Sequence, residues 1–241
     1  LDIDAKAAWI QAQLGPALTA ASVTWTRTDT GRPGADTEEG ASCLLRCSVT
    51  DPAPDPVGKA FTGPAIELAL GSYPGFTMTS PPAPATPYGV YRAAYVDRDV
   101  VAPTVVMPDG GRRSITDSGP SGAAASSAPP VASPTPATAG TTTAASLGTF
   151  LHARSGDKGG DANLGLWVTH DDPARWEARV AWLLGWMTPE RVRALVPESA
   201  DLDIDVVALP NLGGVNVVLH GLLGLGVAAS SRFDPQAKGL G

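Results

Sequence analysis

Positive charge is scarce in this chain. Lys and Arg number 17 against 24 Asp and Glu, for a net charge of −7, and the basic residues form no run. Phosphate contacts need basic surface, so nucleic-acid binding is not expected, and neither is a basic membrane-surface patch. Cysteine is scarcer still, with Cys43 and Cys47 alone. In a strand they would share one face about 13 Å apart, at roughly 3.3 Å per residue. A disulfide needs Cα atoms within about 7 Å, so both are expected as free thiols in a reducing, cytoplasmic setting. No further ligands surround them to complete a metal site. A basic-then-apolar leader is also lacking. The longest uncharged run, between Asp205 and Arg232, contains Pro210, Asn211, Asn216, His220 and several glycines. That composition suits a buried strand and helix better than a lipid-facing span, so no membrane partner is expected.

What is present suffices for one or two cores: 241 residues, 43% of them hydrophobic. Residues 119–146 carry no charge and no aromatic ring, only Ala, Ser, Thr, Pro, Gly and one Val. Such a segment buries too little apolar surface to offset ordering, and reads as a flexible linker spanning about 29 Å root-mean-square as a Gly/Ser-type coil. It divides the chain into modules at 1–118 and 147–241.

The first module reads as mixed α/β. A helix is expected over Asp4–Leu14, and alternation predicts strands at Ala21–Arg27 and Ser42–Thr50. Asp55-Pro56 opens a helix running towards Leu70, which Pro64 should kink and Gly71 should stop. Tyr88–Val96 and Thr104–Met107 are further candidate strands.

In the second module, Leu147–Ala153 and Asn163–Thr169 form an expected hairpin. Asp172-Pro173 caps a helix carrying Trp176, Val180, Leu183, Leu184 and Met187 at helical spacing. Thr188-Pro189-Glu190 starts a second helix to Val196. Asp203–Leu209 reads as a strand, Gly213–Leu223 as a helix, Val227–Phe233 as a strand, and Asp234-Pro235 as the cap of a last helix. The order β-β-α-β-α-β suits a small sheet with helices on one face, as in ferredoxin-like sandwiches.

The densest chemistry lies between the hairpin strands, in Ala153-Arg-Ser-Gly-Asp-Lys-Gly-Gly-Asp-Ala-Asn163. Arg154 and Lys158 supply positive charge, and Gly156, Gly159 and Gly160 let backbone N–H groups approach a ligand. Ser155, Asp161 and Asn163 complete a candidate binding set for a phosphate, a carboxylate or the nucleotide end of CoA. Asp157 and Asp161 support two other readings. With Asn163 they offer oxygens to a hard cation, although the spacing fits no standard calcium loop. They also suit a tight interstrand loop, accepting backbone bonds and pairing with Arg154 and Lys158. A Ser155 nucleophile lacks a base in reach, since His152 should point to the opposite face, and no Gly-x-Ser-x-Gly elbow is present.

Asn216 and His220 would share one face of the expected Gly213–Leu223 helix. If they face the loop, His220 is the best acid–base candidate, since its reference pKa lies near neutrality, and either it or Asp157 would move the proton. Otherwise His220 is a core histidine bonded to a carbonyl. Arg232, Asp234 and Lys238 are candidates to add to the same surface, or form a capped helix start.

The stretch His152-Ala-Arg-Ser-Gly-Asp-Lys-Gly-Gly-Asp-Ala-Asn-Leu-Gly165 resembles the hallmark of the C-terminal domain in acyclic terpene utilisation (AtuA-like) proteins. Asn211-Leu-Gly-Gly-Val-Asn-Val-Val-Leu-His-Gly-Leu-Leu223 and Asp234-Pro-Gln-Ala-Lys-Gly-Leu240 are similar to further segments of it. In the first module, Val57-Gly-Lys-Ala-Phe61, Ser72-Tyr-Pro-Gly-Phe76 and Tyr88-Gly-Val90 look like the last part of that family's larger α/β domain. Val217 stands where the family pattern has an aromatic.

The resemblance implies an α/β (α+β) chain: the C-terminal part of a larger α/β domain, then a ferredoxin-like α+β sandwich, together the C-terminal portion of a longer protein. It also implies a role in catabolism of branched acyclic terpenoids through CoA thioesters. The expected ligand is a branched acyl-CoA or related carboxylate, with no cofactor beyond CoA as part of that substrate, in a homo-oligomer. The competing expectation is a non-catalytic lid or oligomerisation module.

Overall fold

The computed structural model describes residues 2–92, 94–97, 100–115 and 144–240. The expected linker at 119–146 falls almost wholly outside them. The chain divides into two compact units: Leu1–Gly89 with Val227–Pro235, and Val90–Gly226 with Gln236–Gly241.

In the first unit, Asp2 caps helix α1 (Ile3–Leu14) by accepting from the Ala5 N–H. Ile10 and Leu14 are its buried residues. Strands β1 (Ser22–Arg27) and β2 (Leu45–Thr50) pair antiparallel, with Trp25 opposite Cys47. Both cysteines are free thiols, and burial pushes the Cys47 thiol up to about 11. Helix α2 is the single turn Glu38–Ala41, capped by Thr37. Helix α3 (Lys59–Gly71) runs unbroken through Pro64. Gly63 explains why no break occurs there: with no Cβ, it escapes the clash that bars most residues before proline from helical angles. The Arg46 guanidinium lies 4.3 Å from the Phe233 ring centre and donates to the Ser231 carbonyl, which ties the 227–235 segment to β2.

The second unit contains a short hairpin, β3 (Thr104–Val106) with β4 (Arg112–Ser114), and a larger sandwich. The sandwich sheet has four antiparallel strands in the order β5 (Leu151–Lys158), β6 (Asp161–Val168), β8 (Gly214–Leu219), β7 (Ile204–Leu209). Helices α4 (Pro173–Trp186) and α5 (Pro189–Leu195) cover one face. Ala162, Leu164, Leu166 and Val168 of β6, with Val215, Val217 and Leu219 of β8, pack there against Val180, Leu183, Met187 and Val192. Period-two alternation sends the intervening residues to the other face. The chain is α+β, and every sheet among the described residues is antiparallel.

Several elements differ from expectation. Gly213–Leu223 is not a helix, because Gly214–Leu219 forms strand β8 between β6 and β7. Val215, Val218, Leu219 and Leu222 match helical spacing, but Val215, Val217 and Leu219 match strand spacing equally well. The β-branched valines and two waiting partner strands decide for the strand. The sandwich order is therefore β-β-α-α-β-β. Among the described residues, neither Tyr88–Val96 nor Val227–Phe233 forms a strand, and the expected last helix is only a 3-10 turn, Lys238–Leu240. The polar stretch is not a loop either. It is the paired ends of β5 and β6, which meet through Gly159-Gly160 alone, with Gly159 at φ +66°.

Candidate functional site: the open face of the four-stranded sheet

Strand register arranges the helix-free face in rows. Arg154, Gly165, Asn216 and Val207 lie side by side across the sheet, and so do Gly156, Asn163, Val218 and Asp205. One row further on, Lys158 pairs with Asp161, and the His220 N–H bonds the Asp203 carbonyl just past the strand ends. On the other side, His152 pairs with Trp167, their rings 5.6 Å apart.

The β5 side of this face is cationic. Arg154 and Lys158 are exposed. Among the described residues Arg154 has no hydrogen-bond or ion-pair partner, and Lys158 donates only to the Asp157 carbonyl, at 3.0 Å. Lys238 joins them. Its Nζ lies 2.9 Å from where a Cβ on Gly156 would stand, so the ammonium sits directly over that glycine.

The far side is an acid–imidazole cluster. His220 Nδ1 lies 3.2 Å from Asp161 Oδ2, and Nε2 lies 2.9 Å from Asp205 Oδ2. The hydrogen bond to Asp205 is the largest influence holding the imidazole pKa above its ordinary value; desolvation opposes it, and the hydrogen bond to Asp161 and both carboxylate charges add to the rise. With both ring nitrogens facing carboxylates, the protonated ring satisfies both as a donor. Asp161 also accepts the Gly221 N–H at 2.8 Å.

Between these sides sit two amides. Asn163 Nδ2 donates to Asn216 Oδ1 and to the Val217 carbonyl.

The sheet thus brings together Arg154, Gly156, Lys158, Asp161, Asn163, Asn216 and His220. It does not bring Ser155 or Asp157 to them, because both have odd places on β5 and project to the helix side. Ser155 is 6% exposed and its Oγ has no partner among the described residues. Asp157, the alternative proton carrier, is thus on the face opposite His220, and the carboxylates at the imidazole are Asp161 and Asp205. Gly159 and Gly160 make the turn, and Leu223 N–H bonds the Gly160 carbonyl. Arg232 and Asp234 belong to the other unit.

Trp167, Gly165 and Asp205 escaped the sequence reading. Their strand parity was the available signal, in the expected strands Asn163–Thr169 and Asp203–Leu209, and β8 supplied the missing link that sets those strands in one sheet. Among the described residues no group of three or more His, Cys, Asp and Glu is placed to hold a metal ion. No helix among them is long and apolar enough to cross a membrane.

On the helix side, a cavity of about 490 Å³ is lined mainly by Leu151, Leu164, Leu166, Met187, Val192 and Leu240, and His152 also borders it.

No curated protein and no solved structure matches the chain. Two family models do. Residues 145–241 match the AtuA ferredoxin-like domain, which carries the open face, and residues 1–107 match the acyclic terpene utilisation family protein AtuA. The chain belongs to the AtuA family of acyclic terpene utilisation proteins.

Proposed function

We propose that the chain serves acyclic terpene utilisation by binding a branched acyl-CoA or related carboxylate on the open sheet face. One observation carries this reading: Arg154, Lys158 and Lys238 share the β5 side of that face, and among the described residues none is paired with a carboxylate. Unpaired cations over a glycine-floored surface suit an anionic group from outside, and a planar guanidinium suits a carboxylate or phosphate. The apolar cavity behind the sheet offers room for hydrocarbon. In this reading His220, held by Asp161 and Asp205, is the proton donor.

Thermal-shift measurements on the full chain with branched acyl-CoA thioesters and the corresponding free acids test it. Stabilisation is expected, and an Arg154→Ala/Lys238→Ala variant should lose it. A shift that the variant keeps in full removes these cations from the site.

Among the described residues β7 has no strand beyond it, and with Val207 48% exposed this favours a second reading in which two copies join their sheets edge to edge. Sedimentation of the full chain against a Val207→Lys variant tests that reading. A shared monomeric mass defeats it.

A further inference from the structure

Gly165 is the centre of a cradle. Its neighbours on the open face are Arg154 and Asn216 across the strands and Asn163 and Trp167 along β6. A Cβ on Gly165 would meet nothing within 4 Å except the Arg154 carbonyl oxygen, at 3.8 Å. Space therefore stands open above a glycine floor, walled by a guanidinium, two amides and an indole that is 36% exposed.

The amides have a defined polarity. The Val217 carbonyl accepts from Asn163 Nδ2, which also donates to Asn216 Oδ1. That leaves Asn163 Oδ1 as an acceptor and Asn216 Nδ2 as a donor, and neither has a hydrogen bond among the described residues. A donor beside an acceptor complements the edge of a nucleobase, where an amino group adjoins a ring nitrogen. An indole next to it offers a stacking surface, which favours the larger purine ring. The cations continue the pattern along β5. From His152, beside Trp167, to Gly156, under the Lys238 ammonium, the strand covers four residues, about 13 Å. A base at Trp167 thus places its phosphates at Arg154 and Lys238, with Lys158 beyond.

We infer that this cradle binds a purine nucleotide, with the base over Gly165 against Trp167, its edge on Asn163 and Asn216, and its phosphates on Arg154 and Lys238. The inference rests on the anion-binding reading of the same face and narrows it. Free nucleotide and the nucleotide end of CoA share this chemistry.

Calorimetric titration of the full chain with ADP, coenzyme A and inorganic pyrophosphate tests the inference, with the Trp167 indole N–H followed in two-dimensional NMR spectra. ADP should bind at least tenfold more tightly than pyrophosphate and shift the Trp167 resonance. Gly165→Val has room in the fold but fills the cradle. It and Trp167→Ala should each reduce ADP to the affinity of pyrophosphate. Coenzyme A binding more tightly than ADP supports the CoA source, and ADP binding at least as tightly supports free nucleotide. Equal affinity for ADP and pyrophosphate, or ADP affinity unchanged in both variants, overturns the nucleotide inference while the anion site stands. Absence of binding by all three probes overturns both.

Discussion

His220 bridges two strands' worth of carboxylate: its Nδ1 faces Asp161 at the start of β6 and its Nε2 faces Asp205 on β7. The ring sits just past the end of β8, between the two, and each carboxylate favours its protonated form. An NMR titration of the full chain should give His220 a pKa above the ordinary 6.5. Asp205→Asn and Asp161→Asn should each lower it, since each carboxylate raises it by both hydrogen bond and charge. The pH dependence of stability follows from that direction. A histidine whose pKa is raised by folding contributes stability that is fully present below its unfolded value, near 6.5, and is lost as pH rises through the folded value. The urea midpoint of the wild type should therefore exceed that of His220→Gln most below pH 6.5, and the gap should close at higher pH. A gap that widens with pH contradicts the bridge.

The β5–β6 turn is tightly constrained. A Cβ on Gly160 would stand 2.2 Å from the Gly224 carbonyl oxygen, so backbone would have to move. Gly160→Ala should lose about 1–3 kcal/mol in urea denaturation. Gly148→Ala, with nothing within 4 Å of the new methyl, should stay within about 0.5 kcal/mol of wild type. Equal effects at the two positions would show that the turn does not pack against Gly224.

Ser155 buries a hydroxyl that has no partner among the described residues. Leaving such a group unsatisfied costs about 1–3 kcal/mol. Ser155→Ala should therefore match or exceed wild-type stability, and the proposed acyl-CoA binding on the other face should be the same in the variant as in wild type. A marked loss of either would give Ser155 a role its inward position does not predict.

The valines of β8 separate strand from helix directly. On a helix Val218 would face the core. On the strand Val217 does, fully buried, while Val218 is half-exposed. Val217→Thr should cost about 1–3 kcal/mol through its buried hydroxyl, and Val218→Thr less than about 0.5 kcal/mol. Calorimetric melting of the two variants decides between them, and the reverse ranking would restore the helix.

The parts legible in the sequence were those set by neighbours along the chain. Asp172-Pro173 and Thr188-Pro189 carry helix-start chemistry, and α4 and α5 formed where those signals stand, as α1 formed over the expected Asp4–Leu14. The hairpin of β5 and β6 and the density of charge at its end were legible for the same reason. The Arg154–Asn163 and Asn211–Leu223 motifs pointed to the family that both models match. The role of Gly213–Leu223 was not legible, because its apolar residues fit both periods and only pairing with β6 and β7 chose one. With that choice came the composition of the site. Asn216 and His220 joined Arg154, while Ser155 and Asp157 left it, because neighbours in a strand face opposite ways. Chain order placed Lys238 and Asp205 far from the polar stretch. Only the folded sheet set one over Gly156 and the other against His220, since cross-strand register, unlike helix capping, is decided by residues distant in sequence.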